Sequence, residues 1–367
     1  MTALPTMPST SATSAGALHV LGPVQPALAR AGTFPRLRYM GSKYKLLPHL
    51  ARVFADIDGS TVLDAFSGSG VVSYLLKAQG YQVTSNDFLQ FPAAIAEATV
   101  VNNSTVLSEG DVDRICGKFA DRQHTFIRDT YNGIFFTPHD LRFLDSAWSH
   151  IDRMTGYKRA LAISALVLSA ARKQPRGVFT ISGDLSRYDD GRRDLHIPLR
   201  QHFRERAAEY NAVVFDSGHG NRSINADIAD IDPAGYDVVY LDPPYAPPAD
   251  DADYIKRYHF LEGLSCYWRD QVIMEDTITR KIAKKYTPFA YKNRIVEALR
   301  TTFKQFHEST IVLSYSSNAL PPADVIEGLL REVKDNVEVR RIGHRYHFGT
   351  HSAAQRRNVD EYIFIGR

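Results

Sequence analysis

The sequence predicts an α/β fold with a mostly parallel sheet, and three observations support this prediction. Residues 61–87 have the order strand, glycine loop, helix and strand, which is typical of a βαβ unit with parallel strands. The apolar run from Tyr236 to Tyr245 indicates another buried strand, and it ends in a Pro-Pro turn. Near the C-terminus, VEVRRIGHRYHF and DEYIFIGR predict an antiparallel pair, whose final strand is the one deviation from a parallel sheet.

Length and composition indicate a folded globular chain with one large domain or two. The 367 residues are 44% hydrophobic and 23% charged, which is close to the average of globular proteins. A mostly disordered, collagenous or coiled-coil chain is therefore excluded. The net charge is only +3, so a nucleic-acid surface would have to come from local clustering of charge.

Cysteine and histidine usage predicts no metal centre. The two cysteines, Cys116 and Cys266, exclude a disulfide scaffold and any multi-cysteine metal site, and a reducing, cytoplasmic setting is expected. No acid or cysteine completes a familiar metal-binding spacing around His344, His347 and His351. No run of 18 apolar residues occurs, so no membrane helix is expected.

Four segments are predicted along the chain. Residues 1–33 are rich in Ala, Ser, Thr and Pro, with Arg30 as the single basic residue and no acid, and they are expected to form a disordered leader. Residues 34–110 should form the first part of the sheet domain, and residues 223–367 the second part. Between them, residues 111–222 form an insertion with long amphipathic pieces.

The glycine loop at residues 67–70 predicts a ligand site at the end of the first strand. Small residues between a strand and a helix let a ligand approach the backbone and the positive end of the helix. The loop lacks the third glycine of GxGxxG, and no GK[ST] follows, so a phosphate-cradling loop is not expected. Asp64, at the strand tip, suits a cationic or hydrogen-bond-donating ligand group. Asp87, at the end of the next strand, has the usual position of a ribose-binding carboxylate, although it could instead only cap a helix.

The turn Asp242-Pro243-Pro244-Tyr245 predicts a second part of the site. It follows a buried strand at the carboxyl edge of the sheet, where open α/β sheets bind ligands. Because two prolines fix the turn, the Asp242 carboxylate and the Pro243 carbonyl can aim at one point beside the Tyr245 ring. Two acceptors and a stacking ring suit a planar ring with an exocyclic amine. A rigid turn with a structural tyrosine is the alternative.

Positive charge concentrates between residues 172 and 206, which hold nine Lys and Arg against five acids, a local charge of +4. Local positive charge in an otherwise balanced chain indicates phosphate binding, with a solvated helical face as the alternative. The candidate nucleic-acid contacts are Arg187, Arg192, Arg193 and Arg200. A second cluster flanks the predicted C-terminal hairpin and consists of Arg340, Arg341, Arg345, Arg356 and Arg357.

Taken together, the motifs resemble those of the D12-class DNA adenine-N6 methyltransferases with the α-type motif order. The resemblance covers roughly residues 34–110 and 222–367, and the order of its motifs is more specific than any one of them. The segments that carry it are RYMGSK, DAFSGSG, SND, INAD and LDPPY, followed by YHFLEG, VLSYSS and YIFIGR.

The resemblance implies a Rossmann-like, S-adenosylmethionine-dependent methyltransferase fold, with target recognition in residues 111–222. It places Asp87 on the cofactor's ribose and Asp227 on the amine of the cofactor's adenine. Asp230 and Asp232 lie close to Asp227, so the alternative is that these three residues form a run of surface carboxylates. The other residues that it assigns to cofactor binding are Tyr39, Lys43, Asp64, Phe66, Gly68 and Gly70.

The implied reaction moves a methyl group from S-adenosylmethionine to N6 of an adenine that has been flipped out of double-stranded DNA. Asp242 and the Pro243 carbonyl would accept the N6 hydrogens while Tyr245 stacks on the base, and no metal is required. An RNA adenine-N6 methyltransferase, a DNA cytosine-N4 methyltransferase and a nucleic-acid-binding module with an inactive fold are the alternatives. A nicotinamide oxidoreductase would leave the Asp-Pro-Pro-Tyr turn without a role. The resemblance leaves open whether a companion restriction endonuclease exists.

Overall fold

Short apolar strands form the centre of the computed structural model, which describes residues 23–117, 124–180, 185–246, 254–345 and 358–367. The strands in these residues are β1 (Thr61–Asp64), β2 (Gln82–Asn86), β3 (Arg222–Ile224), β4 (Val238–Leu241), β5 (Ile273–Met274), β6 (Lys281–Ile282), β7 (Thr310–Ser316), β8 (Val337–Arg345) and β9 (Asn358–Gly366).

Seven strands form one sheet in the order β3-β2-β1-β4-β7-β9-β8, and β5 pairs with β6 in a separate hairpin. The pairs β1–β2, β1–β4, β2–β3 and β4–β7 are parallel. β9 is antiparallel to both of its neighbours, β7 and β8. The predicted fold class is therefore confirmed, including the antiparallel strand near the C-terminus. The chain between β8 and β9, with Arg356, Arg357, His347 and His351, lies outside the described residues.

Helices cover both faces of this sheet. They are α1 (Val24–Gly32), α2 (Leu47–Ala55), α3 (Val71–Ala78), α4 (Gln90–Ala96), α5 (Glu109–Ile115), α6 (Phe126–Thr130), α7 (Pro138–Ile151), α8 (Gly156–Lys173), α9 (Arg193–His196), α10 (Leu199–Ala212), α11 (Tyr254–Cys266), α12 (Ile295–Gln305) and α13 (Ala323–Arg331). Among the residues described, no helix has the length and apolar character of a membrane span.

Successive residues of each central strand pack into different cores, as the two-residue period of a β-strand requires. Val62 of β1 and Val238 of β4 belong to the core that contains α2, α3, α4, α8 and α11. Their neighbours Leu63 and Val239 belong to the opposite core, which contains α12 and α13. The sheet therefore lies between two helical layers, and the carboxyl ends of β1, β2 and β4 meet at one edge.

The middle region shares the first of these cores. α8 is buried along most of its length and packs against α4, α10 and α11. Residues 111–222 therefore do not form a separate core, although a role of this region in target recognition stays a prediction.

The predicted disordered leader through residue 33 is wrong for its last part, because residues 24–32 form α1. Ala27 and Ala31 of this helix are buried, and the helix packs against α2 and α3. Pro26 lies in the first turn, where the backbone N–H groups have no partner within the helix, so it does not break α1. Residues 1–22 lie outside the described part of the chain.

Candidate active site

One pocket at the carboxyl ends of β1, β2 and β4 brings together most of the site residues that the sequence predicted. Parallel strands place their ends at the same edge, and the glycine loop and the Pro-Pro turn both follow such ends. The predicted residues that line the pocket are Tyr39, Lys43, Asp64, Phe66, Gly68, Asp87, Asp242, Pro243, Pro244 and Tyr245. Gly70 is the N-cap residue of α3 behind the loop, with φ +81°.

Asp87 fastens the glycine loop to the end of β2. The Gly68 N–H donates to Asp87 Oδ2 at 2.9 Å, and the Leu89 N–H donates to Oδ1 at 2.9 Å. Burial raises the pKa of Asp87 to about 7, although these two hydrogen bonds oppose the shift. Asp87 thus both caps the following turn and lines the pocket.

Gly68 is required at its position for two reasons. Its φ is +49°, a conformation that favours glycine, and an added Cβ would lie 2.7 Å from Cε1 of Tyr39. The Tyr39 ring is itself stacked on Tyr258, with ring centroids 4.9 Å apart. The loop and the Tyr39 ring therefore form one closely packed wall of the pocket.

Asp64 carries a buried oxygen without a partner. Its Oδ2 accepts a hydrogen bond from Ser73 Oγ at 2.5 Å, whereas Oδ1 has no hydrogen-bond partner among the described residues. Burial raises the pKa of Asp64 to about 7, and the carboxylates of Asp242 and Asp87 add to the shift. A buried acceptor left unpaired is unfavourable, so a donor or cation on a ligand would be stabilised there.

Asp242 has one oxygen that is fully engaged. Oδ1 lies 2.7 Å from Nζ of Lys43, and it also accepts hydrogen bonds from Tyr245 at 3.1 Å and from Ser314 at 3.2 Å. Among the described residues, no donor bonds to Oδ2. Burial raises the pKa of Asp242, and the positive charge of Lys43 opposes that shift. The arrangement fixes the carboxylate through Oδ1 and leaves Oδ2 for a ligand.

Glu361, in β9, is a site residue that the sequence analysis missed. The Tyr245 hydroxyl lies 3.5 Å from Glu361 Oε2, and burial raises the pKa of this glutamate. The antiparallel pairing of β9 with β7 sets Glu361 opposite Ser316. The motif YIFIGR was noted in the sequence, but nothing local indicated that the acid before it reaches Tyr245.

α11 holds the segment that contains Tyr39 and Lys43. The Tyr258 hydroxyl accepts a hydrogen bond from the Met40 N–H at 2.8 Å, and the Tyr254 hydroxyl donates to the Met40 carbonyl at 3.3 Å. The motif YHFLEG had no predicted role, and the contact of its first residue, Tyr258, with Met40 gives it a structural one. Tyr258 and Tyr254 position the N-terminal wall of the pocket.

The structure does not bring Asp227 into this pocket. Asp227 is exposed, and its Oδ1 accepts a hydrogen bond from the Ala229 N–H at 3.1 Å. It lines a neighbouring cavity with Tyr286 and Phe289. Phe289 in turn contacts Phe66 of the first pocket edge-to-face, with ring centroids 5.1 Å apart.

The predicted nucleic-acid arginines are mostly engaged within the protein. Arg193 bonds both oxygens of Glu205, at 2.9 and 2.5 Å. Arg192 pairs with Asp190 at 3.1 Å, and Arg200 lies over the Phe143 ring. Arg187 is exposed. These contacts neutralise part of the local charge, and DNA binding by the four arginines stays a prediction.

No group of three or more His, Cys, Asp and Glu side chains in the described ranges could hold a metal ion. The arrangement can instead bind a ligand that carries a cation near Asp64, hydroxyls near Asp87 and an amine near Asp242. Asp64 and Asp87 would meet the first two groups with buried carboxylates, and Asp242, which is partly exposed, would meet the third.

The sequence matches the profile of the D12 class N6 adenine-specific DNA methyltransferase family over residues 39–317. It is 32% identical over 225 residues to the Type II methyltransferase M2.HphI of Haemophilus parahaemolyticus, an alignment that covers 58% of this chain and 66% of that protein. It is 25% identical to the modification methylase StsI of Streptococcus sanguinis over 89% of this chain and 51% of that protein. For the Type II methyltransferase M.FokI of Planomicrobium okeanokoites, the identity is 23%, over 89% of this chain and 52% of that protein. The chain therefore spans less than two thirds of the first relative and about half the length of the other two.

Proposed function

The chain belongs to the D12 class of N6 adenine-specific DNA methyltransferases, and from this membership we propose that it transfers a methyl group from S-adenosylmethionine to N6 of an adenine in double-stranded DNA. The observation that carries this proposal is the pocket that joins Asp64, whose Oδ1 lacks a partner, to Asp242, whose Oδ2 is left for a ligand. A cytoplasmic location and a companion restriction endonuclease are part of the same proposal, because similar proteins are named modification methylases.

The residues of the pocket fit S-adenosylmethionine. Asp64 Oδ1 would accept a hydrogen bond from the cofactor's ammonium group, and Asp87 would hold its ribose hydroxyls, since each Asp87 oxygen carries only one hydrogen bond from the backbone. Gly68 would let the cofactor approach the loop. We retain Asp227 as the proposed partner of the adenine amine, because its cavity is next to the pocket: Phe289 lines that cavity and contacts Phe66 of the pocket.

S-adenosylmethionine, when bound, supplies an electrophilic methyl group. N6 of adenine is a poor nucleophile because its lone pair is delocalised into the ring, and its hydrogens become more acidic as it attacks. Asp242 Oδ2 and the Pro243 carbonyl would accept hydrogen bonds from these hydrogens and stabilise the positive charge that develops on N6. Asp242 Oδ2 would then take the one proton that N6 loses. Tyr245 and the rigid Pro243-Pro244 turn would hold the flipped base in place.

The direct test is transfer of labelled methyl from S-adenosylmethionine to unmethylated genomic DNA, followed by sequencing of modified bases. We expect N6-methyladenine at one recurring motif, with no transfer by the variant Asp242→Ala. Methylation of cytosine N4, or transfer of the labelled methyl group to RNA but not to DNA, would contradict the proposed substrate.

Cofactor affinity should depend on pH through Asp64. Burial raises the pKa of Asp64 to about 7, so the carboxylate is increasingly protonated below pH 7 and cannot hold a cation. If the charged form is required, the Kd should rise about tenfold for each pH unit lost below 7. Calorimetric titration with S-adenosylmethionine between about pH 5 and pH 8 measures this dependence.

The matched variant for this titration is Asp64→Asn, which should bind the cofactor more weakly and with a shallower pH dependence. Some dependence should remain, because burial also raises the pKa of Asp87 to about 7. An Asp64→Asn protein with the affinity and pH dependence of the wild type would contradict the assignment of Asp64.

Gly68→Ala should weaken cofactor binding by about tenfold or more. The added methyl group would push Tyr39 away from Tyr258 and distort the wall of the pocket, in addition to the cost of about 1–2 kcal/mol for a left-handed alanine. The control is Gly133→Ala, because Gly133 also has a positive φ, +73°, but nothing lies within 4 Å of its added Cβ. If both variants bound S-adenosylmethionine equally well, the contact with Tyr39 would be irrelevant to the cofactor.

A further inference from the structure

We infer that a strip of basic residues beside the candidate active site binds the phosphate backbone of the duplex that carries the target adenine. The inference rests on the proposed function, because it assigns a surface for the same DNA substrate. We define the basic strip as Arg280, Lys281, Lys284, Lys285, Lys292 and Arg294.

The charge of the basic strip is not balanced by acids in its own segment. Residues 277–296 contain these six cations and no Asp or Glu, whereas the whole chain carries a net charge of only +3. Unbalanced local charge in a nearly neutral protein is what phosphate binding requires. This segment was not predicted from sequence, because the region at residues 172–206 is longer and holds more cations.

The structure places the basic strip against the candidate active site. Lys284 and Lys285 line a small cavity together with Phe88 and Tyr254, and the latter two residues also line the main pocket. Arg294 lines the cavity that contains Asp227. A duplex that presents a base to Asp242 would therefore have phosphates within reach of this strip.

Two cations at the end of the basic strip are available to a ligand. Lys292 and Arg294 are exposed, and no carboxylate of the described residues pairs with either of them. Arg193, by contrast, is bound by both oxygens of Glu205 and would have to break that ion pair to bind phosphate. The geometry therefore favours Lys292 and Arg294 over Arg193 as phosphate contacts.

One ion pair anchors the strip to the cofactor side of the site. Lys285 Nζ lies 2.9 Å from Glu262 Oε1, and the other oxygen of this buried glutamate accepts a hydrogen bond from the Gln90 N–H at 2.8 Å. Gln90 begins α4, three residues after Asp87. The basic strip is thereby held in a fixed position relative to the glycine loop.

An exposed aromatic pair accompanies the charge. The Tyr286 side chain is 59% exposed, and its ring is stacked on Tyr291 with centroids 5.3 Å apart. Lys284 Nζ lies 5.1 Å from the centroid of the Tyr291 ring. Aromatic rings among cations are typical of nucleic-acid surfaces, where they stack on bases or sugars.

The test compares the double variant Lys292→Gln/Arg294→Gln with the wild type in binding to a short labelled duplex at several salt concentrations. A duplex of arbitrary sequence suffices, because phosphate contacts carry no sequence information. We expect affinity at moderate salt to fall by about tenfold or more. The slope of log K against log salt should become shallower by about 2, since each phosphate contact contributes about 0.9.

The matched control is Lys304→Gln/Arg331→Gln, which also removes two exposed cations, one from α12 and one from α13. Lys304 lies near the far end of α12 from Arg294, about 15 Å along the helix. This variant should bind the duplex with the wild-type affinity and salt slope. The control should also bind S-adenosylmethionine as the wild type does.

The outcomes separate this inference from the proposed function. If the wild type methylated DNA, and Lys292→Gln/Arg294→Gln bound the duplex with unchanged affinity and salt slope, the inference would be overturned and the proposed function would stand. If the wild type transferred no methyl group to DNA, but its binding to the duplex still required Lys292 and Arg294, the inference would be supported and the proposed function contradicted. Tighter, strip-dependent binding to RNA would overturn the choice of duplex DNA.

Discussion

Asp242→Asn is expected to lower methyl transfer by about 10²–10³-fold or more while the affinity for S-adenosylmethionine stays close to that of the wild type. Asparagine keeps the shape of the side chain but removes the negative charge that would accept the N6 hydrogens through Oδ2. It also leaves Lys43 without its ion-pair partner at 2.7 Å. Single-turnover transfer with saturating DNA, together with calorimetric titration of the cofactor, measures the two effects separately.

The control for this variant is Asp230→Asn, because Asp230 is an exposed aspartate that does not line the pocket. It should transfer methyl at the wild-type rate. Thermal unfolding of both variants shows whether loss of the Lys43–Asp242 pair also lowers stability. Near-normal turnover by a folded Asp242→Asn protein would remove Asp242 from the proposed mechanism.

Lys43→Met is expected to lower turnover at pH 7 by about 10-fold or more, with recovery as the pH is raised. Burial raises the pKa of Asp242, and the positive charge of Lys43 opposes that shift. Without Lys43 the pKa of Asp242 should rise further, so a larger fraction of the carboxyl is protonated and unable to accept a hydrogen at neutral pH. The acid limb of the rate profile should therefore move to higher pH.

The measurement is kcat against pH at saturating cofactor and DNA. Lys45→Met is the matched control, since Lys45 lies in the same short helical turn but is exposed. A Lys43→Met protein with the pH profile of the wild type would show that Lys43 does not control the ionisation of Asp242. A change confined to the KM for S-adenosylmethionine would assign Lys43 to the cofactor instead.

The parts of the site that sequence predicted are those whose geometry is local. The glycine loop and the Asp-Pro-Pro-Tyr turn each follow a strand directly, so their place at the carboxyl edge follows from the parallel sheet. The ion pair of Lys43 with Asp242 and the approach of Glu361 to Tyr245 join segments that are distant in sequence. Such contacts depend on packing, and no local pattern encodes them.

One prediction failed for an identifiable physical reason. The Ala, Ser, Thr and Pro content of the stretch before Phe34 predicts a disordered leader, yet alanine favours helices and Pro26 lies where a helix tolerates proline. The role of Asp227 in cofactor binding stays a prediction, because the structure sets this residue in the cavity next to the pocket.

The position of β9 has a consequence for how the protein is synthesised. β9 follows β8 along the chain but lies between β7 and β8 in the sheet. β8 therefore has no partner in the described sheet until β9 has been made and has inserted beside β7. Until then the chain exposes the edge of β7, and Tyr245 lacks its contact with Glu361. The sheet beside Tyr245 is complete only after this late strand inserts, so a chain truncated between β8 and β9 should be inactive and prone to aggregation.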